Sequence, residues 1–448
     1  MTAPSDTIVA VATPAGRGGI GVVRLSGPAA HRIAATLCDG ELDPRRAHHR
    51  RFLDDSGGVI DDGIVLFFAA PASYTGEDVV ELQGHGNPVL LDAVASRCCA
   101  LGARPARPGE FTERAFLNDR LDLAQAEAVA DLINASTLGA ARAATRSLQG
   151  AFSESVAELS DALTALRVHV ESALDFPDED IDFLAEAPVR NELAAVRDRL
   201  QQLHARAEAG MRLQDGAVVV LAGQPNAGKS SLVNRLAERD VAIVTDVPGT
   251  TRDVLKVMLD LDGVPVELVD TAGMRDARDA VEREGVRRAR AQLDEADAVV
   301  LVFDLTLGVG EADRALADAC GDTPICWVGN KADLSGAAPE PPDRAPLIRV
   351  SARTGEGLDA LRAALVRRVV PERDAAGGTV SARRRHLAAL DAVSVALQRA
   401  AETLASGTGG ELVAEDLRAA HASLESITGR FTADDLLGEI FSSFCIGK

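Results

Sequence analysis

The rhythm of apolar and polar positions changes three times along the chain. Up to about residue 118, short apolar runs at 7–12 (TIVAVA), 21–25 (GVVRL) and 64–68 (IVLFF) alternate with Gly and Pro clusters. This pattern predicts an α+β domain rich in short strands and turns. From Glu110 to Phe176 proline is absent, and Leu148, Phe152, Val156, Leu159, Leu163, Leu166, Val170 and Leu174 recur at steps of three and four. That spacing forms one stripe and predicts a long amphipathic helix packed against other helices. The segment 175–188 (DFPDEDIDFLAEAP) interrupts it, and helical spacing resumes over 191–212.

From Ala217 strand, loop and helix alternate, the pattern of a doubly wound α/β sheet. After Arg373 the AAGG stretch reads as a linker. Residues 381–448 are helical again, with Val413, Leu417, Leu424 and Ile427 on one face. Neither helical stretch is long enough for a large bundle alone, so the two are expected to form one discontinuous helical domain with the α/β unit inserted into it. The expected divisions are 1–118, 119–210, 211–373 and 374–448. The length of 448 residues agrees with a multidomain protein.

Charge and composition narrow the field. The net charge of −21 repels phosphate polymers, so any RNA would be held by a local patch or by a basic partner. No apolar run approaches the roughly 18 residues of a membrane span. The first residues lack the basic start and apolar core of a signal peptide. Cys38, Cys98, Cys99, Cys320, Cys326 and Cys445 show no metal-site spacing and read as mostly buried thiols. The expectation is a soluble, cytoplasmic chain.

The chemistry concentrates after Ala217. The buried-strand run 218–221 leads into Gly223, then Gly228-Lys229-Ser230, then an apolar helix. In that context the loop is a P-loop: backbone amides wrap phosphates, Lys229 reaches the β and γ groups, and Ser230 holds magnesium. Asp270-Thr271-Ala272-Gly273 follows the strand 266–269, where Asp270 can reach magnesium through water and Gly273 senses the γ-phosphate. Asn330-Lys331-Ala332-Asp333 follows the strand-like 325–329, and the Asp333 carboxylate can accept guanine N1–H and N2–H, a pair that adenine lacks. Ser351-Ala352-Arg353 fits the loop that backs the base. Four elements in this order, each at a strand end, imply a Ras-like GTPase domain.

Where Ras-like enzymes often carry a water-orienting glutamine, this chain has Met274, which cannot do that work. The following stretch MRDARDAVEREGVRRA offers several acidic candidates, and chemistry alone does not choose among them. No arginine finger is evident; Arg252 and Arg275 read as surface residues. GRGG (16–19) reads as a flexible turn, Arg24 and Glu81 as ordinary charges, and His85 in QGHGNP as a turn residue.

The P-loop segment Gln224-Pro225-Asn226-Ala227, with Asp246-Val247-Pro248-Gly249-Thr250-Thr251-Arg252-Asp253, resembles the translation-factor class of GTPases that act on RNA. Within that class the flanks DTIVAVATPAGRGGIGVVRLSG, SYTGEDVVELQGHG, PGEFTERAFLNDRLDLAQAEAVADLI and FCIGK resemble the MnmE (TrmE) family, and the resemblance covers essentially the whole chain. It implies that Asn226, Ala227, Gly228, Lys229, Ser230, Ser231, Thr245, Asp246, Val247, Pro248, Gly249, Thr250, Thr251, Asp270, Thr271, Ala272, Gly273, Asn330, Lys331, Asp333, Ser351, Ala352 and Arg353 line the GTP site. Ser230 and Thr251 would hold Mg2+. Asn226, Thr245, Val247 and Thr250 would hold K+, which stands in for an arginine finger and lets two G domains pair. Glu282 would orient or activate the attacking water through a bridging water.

The same resemblance makes the N-terminal domain a folate-binding and dimer-forming module. Arg24, Glu81 and Arg120 would contact a 5-formyltetrahydrofolate or a related tetrahydrofolate, with Lys448 nearby; the family more usually carries lysine where Arg120 stands. Cys445 in the FCIGK tail is either a small buried residue or a thiol with a chemical role beside Lys448. For the whole chain the family implies GTP hydrolysis coupled to addition of a carboxymethylaminomethyl or aminomethyl group at C5 of the wobble uridine of certain tRNAs. A homodimer would work with the flavoprotein MnmG (GidA), two copies of each, and that partner could carry much of the tRNA contact. Two other readings compete: a regulatory or ribosome-assembly GTPase switch without modification activity, and a folate enzyme regulated by its G domain. The Ala- and Leu-rich helices after the G domain do not read as a KH-like RNA module that would favour the switch.

Overall fold

The structure is a computed structural model that describes residues 6–175, 187–240, 256–270, 296–321, 323–334, 346–369, 379–406, 410–429, 434–442, 444 and 447. The chain divides into two compact units, Met1–Ala130 with His421–Lys448, and Asp131–Ala420.

In the first unit the elements are β1 (Ile8–Val11), β2 (Gly18–Ser26), α1 (Ala30–Leu37), β3 (His48–Leu53), β4 (Val59–Phe68), β5 (Val79–Gly86), α2 (Pro88–Ala100), β6 (Arg104–Pro105), α3 (Glu110–Leu117) and most of α4 (Leu123–Asn134), whose last residues, from Asp131, belong to the second unit. The six strands form one sheet in the order β3-β4-β5-β2-β1-β6, antiparallel except where β1 meets β6. Alternation decides its faces: Val23 and Leu25 of β2 and Val80 and Leu82 of β5 point into a core with α1 and α2, while Arg24 and Glu81 point the other way. On that second face Ile8 and Ala10 pack with Phe111 and Tyr74. Gly18 and Gly19 open β2, so half of GRGG is strand where the sequence suggested a turn.

The C-terminal segment belongs to this unit. Leu437, Ile440, Phe441 and Phe444 cluster with Leu123 and Ala126 of α4 and with Phe116 of α3. Gly109, at φ +68°, has no room for a side chain because the Phe441 carbonyl lies 2.6 Å from where its Cβ would be. The expected stripe of Val413, Leu417, Leu424 and Ile427 is buried along the helix Gly410–Thr428.

The second unit begins with α5 (Leu138–Leu148), α6 (Ala151–Asp175) and α7 (Ala187–Asp215). The α6 stripe from Phe152 to Val170 is buried as its spacing predicts, but Leu148 ends a separate helix. Gly150, at φ +98°, turns the chain between them, because that conformation terminates a helix at little cost only for glycine. Next come β7 (Ala217–Ala222), α8 (Lys229–Asp240), β8 (Lys256–Leu261), β9 (Val264–Asp270), β10 (Ala298–Asp304), α9 (Glu311–Ala319), β11 (Ile325–Asn330), β12 (Leu347–Arg349), α10 (Leu358–Val369) and α11 (Arg384–Ser406).

The strands form a second sheet in the order β12-β11-β10-β7-β9-β8, all parallel except β8. The segment leading into α11 is bonded back to α5: Arg146 Nε donates to the Thr379 carbonyl at 2.6 Å and Ser147 Oγ to the Ser381 carbonyl at 3.0 Å. Arg383 and Ser381 both donate to the buried carboxylate of Asp131. The helical elements before and after the α/β sheet therefore join, and the expected inserted architecture holds.

Buried Cys38 and Cys98 have thiols pushed up to about 12, chiefly by burial, so neither carries thiolate near neutral pH. Among the described residues no helix is long and apolar enough to cross a membrane.

Candidate functional site

The P-loop begins where β7 runs out beside β10, at the point where the sheet's connections change direction, the place where doubly wound sheets bind ligands. Gly223 (φ +150°) leaves the sheet beside β10, where a Cβ would overlap the Val302 carbonyl oxygen, so any side chain would collide there. Asn226 takes a left-handed conformation (φ +63°), and Gly228 follows at φ +90° with Asn330 Nδ2 filling the space of a Cβ. Such a turn aims successive backbone N–H groups toward one point, next to the start of α8.

Lys229 is 5% exposed and curls along this loop, its Nζ donating to the carbonyls of Gly223 (2.9 Å) and Gln224 (3.1 Å). Ser230 Oγ donates to Asp270 Oδ2 at 2.8 Å, joining the first turn of α8 to the end of β9. Hydroxyl and carboxylate oxygens are the donor types Mg2+ prefers, so this pair fits that ion. Ser231 is exposed.

Buried Asn330 links the phosphate loop to the base-side loops. Its Nδ2 donates to the Ala227 carbonyl at 2.9 Å, and its Oδ1 accepts from the Ala352 amide at 3.0 Å. Ser351 Oγ donates to Asp333 Oδ1 at 2.7 Å, while Arg353 stays exposed with Nη1 at 4.0 Å from Asp333 Oδ2. Lys331, left-handed at φ +64°, pairs with Asp304 Oδ2 at 2.6 Å. Burial works to raise the Asp304 carboxyl, but bonds from Lys331 and Thr306 outweigh it and hold it below its ordinary range.

The structure thus brings together Asn226, Ala227, Gly228, Lys229, Ser230, Asp270, Asn330, Lys331, Asp333, Ser351 and Ala352 at the C-terminal edge of the parallel sheet. Thr245, Asp246, Val247, Pro248, Gly249, Thr250, Thr251, Thr271, Ala272, Gly273 and Glu282 lie outside the described residues. So do Met274, Arg252 and Arg275.

In the first unit Arg24 and Glu81 are direct partners across β2 and β5, with Nη2 and Nε at 2.8 and 3.1 Å from Oε1. The guanidinium lies 5.7 Å from the Tyr74 ring centroid and 5.8 Å from that of Phe111. Its Nη1 donates to the Gly447 carbonyl at 3.4 Å, which places Gly447 beside this pair. Arg120 is exposed, its stem passing the turn at Gly76. Cys445 and Lys448 lie outside the described residues.

Two charged clusters escaped the sequence reading. His85 is not a turn residue but the penultimate residue of β5; its ring is 67% exposed and its Nδ1 lies 2.8 Å from Oδ1 of the buried Asp61, whose Oδ2 accepts the His85 amide. The bond from Asp61, then its charge, raises the imidazole above its ordinary 6.5. Burial opposes ionisation of Asp61, but the two bonds from His85 prevail and lower it below 3.8. The histidine contribution to stability is therefore complete below 6.5 and lost as pH rises through its folded value; the aspartate contribution is lost as pH falls through its own. His85→Ala should lower the first unit's thermal midpoint more at about pH 5.5 than at about pH 9. An equal drop at both would show that the pair carries no charge-dependent stability. The second cluster centres on Arg114, wholly buried among Asp6, Glu77 and Glu110.

A six-stranded sheet of this order, carrying a P-loop tied by an asparagine to a second loop, defines a Ras-like P-loop GTPase. Comparison with known proteins carries this further. A profile of the MnmE helical domain matches residues 123–445, and one of the GTP-binding protein TrmE N-terminus matches residues 7–120. The tRNA modification GTPase MnmE of Pseudomonas paraeruginosa is 53% identical over 456 residues, covering 100% of both chains. That of Nitrosomonas europaea is 52% identical over 448 residues, covering 99% of each. The solved structure of Era from Aquifex aeolicus bound to GDP and AlF4− aligns over 40% of this chain and 66% of that one, at 26% identity and a TM-score of 0.29. The chain belongs to the MnmE (TrmE) family of tRNA modification GTPases.

Proposed function

We propose that this chain binds and hydrolyses GTP at the P-loop edge of its second unit, and that this cycle serves modification of the wobble uridine of certain tRNAs. The observation that carries the nucleotide reading is the Asn330 bridge from Ala227 to Ala352, with Ser351 orienting Asp333. It sets the phosphate loop and the guanine-reading carboxylate in one frame. Lys229 exchanges its two loop carbonyls for β- and γ-phosphate oxygens. Asp333 accepts guanine N1–H and N2–H, and Glu282 orients the attacking water. Ser230 and Thr251 would hold Mg2+, which Asp270 could reach through water, and the ion would neutralise phosphate charge. Asn226, Thr245, Val247 and Thr250 are the residues to hold K+.

Support for a folate site comes from Arg24, paired with Glu81 and lying over the Tyr74 and Phe111 rings beside Gly447. Glu81 offers a carboxylate to pterin N–H groups, and Arg24, Arg120 and Lys448 offer cations to the ligand's carboxylates. On this reading a tetrahydrofolate supplies the methylene of a carboxymethylaminomethyl or aminomethyl group, Cys445 of the tail is the candidate thiol, and a homodimer acts with the flavoprotein MnmG on tRNA in the cytoplasm. GTP hydrolysis drives a conformational cycle and not the C–C bond itself.

The test is GTP turnover by the purified protein in potassium and in sodium at equal ionic strength. Turnover is expected to be faster in potassium, with the advantage lost in Asn226→Ala and turnover lost in Glu282→Ala. Equal rates in both salts would remove the potassium assignment. Unmodified wobble uridine in tRNA from cells whose only copy is Lys229→Ala would tie the cycle to modification; fully modified tRNA would separate the two.

A further inference from the structure

We propose that helix α5 is a positioning element of the GTP site: Thr137 and Gly139 hold the tip of the β8–β9 hairpin and, through β9, set the place of Asp270 against Ser230. This rests on the reading of that oxygen pair as the magnesium end of the nucleotide site.

The hairpin turns in two residues, Asp262 (φ 55°) and Gly263 (φ +94°), the mirror-type turn that matches strand twist and leaves little slack. Its tip is held from both sides. Thr137 Oγ1, at the N-cap of α5, accepts the Ala140 amide at 3.1 Å and donates to the Gly263 carbonyl at 2.6 Å. Gly139 packs backbone to backbone on the same turn: a Cβ there would lie 2.5 Å from the Gly263 oxygen and 2.9 Å from its α-carbon. On the other side Arg362 of α10 reaches Asp262 Oδ1 at 2.8 Å.

From this tip β9 runs seven residues, about 20 Å, between β7 and β8 to Asp270, which is 1% exposed and accepts the Ser230 hydroxyl. A paired strand cannot shorten or bend appreciably, so the position of its tip fixes the position of its far end. At its other end α5 is bonded to the segment entering α11, through Arg146 and Ser147. The helix is thus a strut between the helical elements and the hairpin. Whatever moves Asp270 between nucleotide states is felt at α5, and, by linkage, a change at α5 alters the binding of each ligand by the factor by which that ligand shifts α5.

The experiment uses the full chain with Thr137→Val, Thr137→Ser, Gly139→Ala and Ser230→Ala, and reads the Mg2+ concentration for half-maximal GTP hydrolysis and the ratio of GTP to GDP affinity. Trp327, the only tryptophan, lies in the core of the inserted domain and reports folding by fluorescence. Thr137→Val should raise the half-saturating Mg2+ by about threefold and Gly139→Ala by about tenfold, while Thr137→Ser, which keeps the hydroxyl, behaves as the parent. A folded Thr137→Val with unchanged Mg2+ dependence and affinity ratio overturns the inference; if Gly139→Ala does not fold, Thr137→Val alone decides. Ser230→Ala separates the two levels. Unchanged Mg2+ dependence in that variant overturns the magnesium reading and the inference with it, whereas a loss there beside a silent Thr137→Val overturns only the role of α5.

Discussion

Replacing Asp333 with asparagine is expected to lower kcat/KM for GTP by at least about 100-fold and to make xanthosine triphosphate the better substrate. Ser351 Oγ holds one carboxylate oxygen at 2.7 Å and so fixes the plane of the group. A carboxylate in that plane has only acceptors to offer, which suits the adjacent N1–H and N2–H donors of guanine. An amide sets a donor against one of them and leaves a desolvated polar pair unmatched. Xanthine bears a carbonyl oxygen at C2, so the new N–H finds an acceptor there. Phosphate release measured with both nucleotides decides the matter. A variant that keeps its preference for GTP at an unchanged kcat/KM would show that Asp333 does not read the base.

Arg114→Met is expected to destabilise the first unit by about 3–5 kcal/mol, the usual consequence of removing one partner from a buried ionic cluster. Arg114 is 0% exposed and donates to Asp6 Oδ1 at 2.8 Å, Glu77 Oε1 and Oε2 at 3.1 Å, and Glu110 Oε1 at 3.1 Å. Without it the buried Glu110 keeps Arg104 and the Arg107 amide, but Glu77 loses its cation and retains the Ser26 hydroxyl. For a unit of this size the loss corresponds to a fall of about 10 °C in its transition. Segment-resolved hydrogen exchange should show the loss in the first unit, while the fluorescence transition of Trp327 in the second stays in place. A change below about 1 kcal/mol would mean that the three carboxylates do not depend on Arg114.

The described part of the candidate nucleotide site was legible because its pieces are local. Gly223 and Gly228 take conformations that the sequence marks with glycine, and Lys229 finds its partners five and six residues back. The parts also assemble predictably, since parallel strands end on one edge and β7, β9, β11 and β12 each deliver a motif there. The break at Gly150 was missed for the opposite reason. Leu148 keeps the apolar spacing across the turn, so periodicity alone extends the helix one element too far. The Asp262–Gly263 turn was present in the sequence as an Asp-Gly pair between apolar runs, the strongest short-range hairpin signal, and had only to be read.

The sequence by itself determined the class of the inserted domain, the α+β texture of the N-terminal part and the discontinuity of the helical part. Those follow from periodicity and from motifs whose residues interact within a few positions or at strand ends. Tertiary structure alone decided which charges meet. Arg114 and Asp6 are 108 residues apart, Arg383 and Asp131 252 apart, Thr137 and Gly263 126 apart. A charge or a hydroxyl in a sequence carries no record of its partner, because that contact exists only after chain topology has closed the intervening loop. The same closure buries Asp61 beneath His85 and turns two ordinary polar residues into a coupled pair.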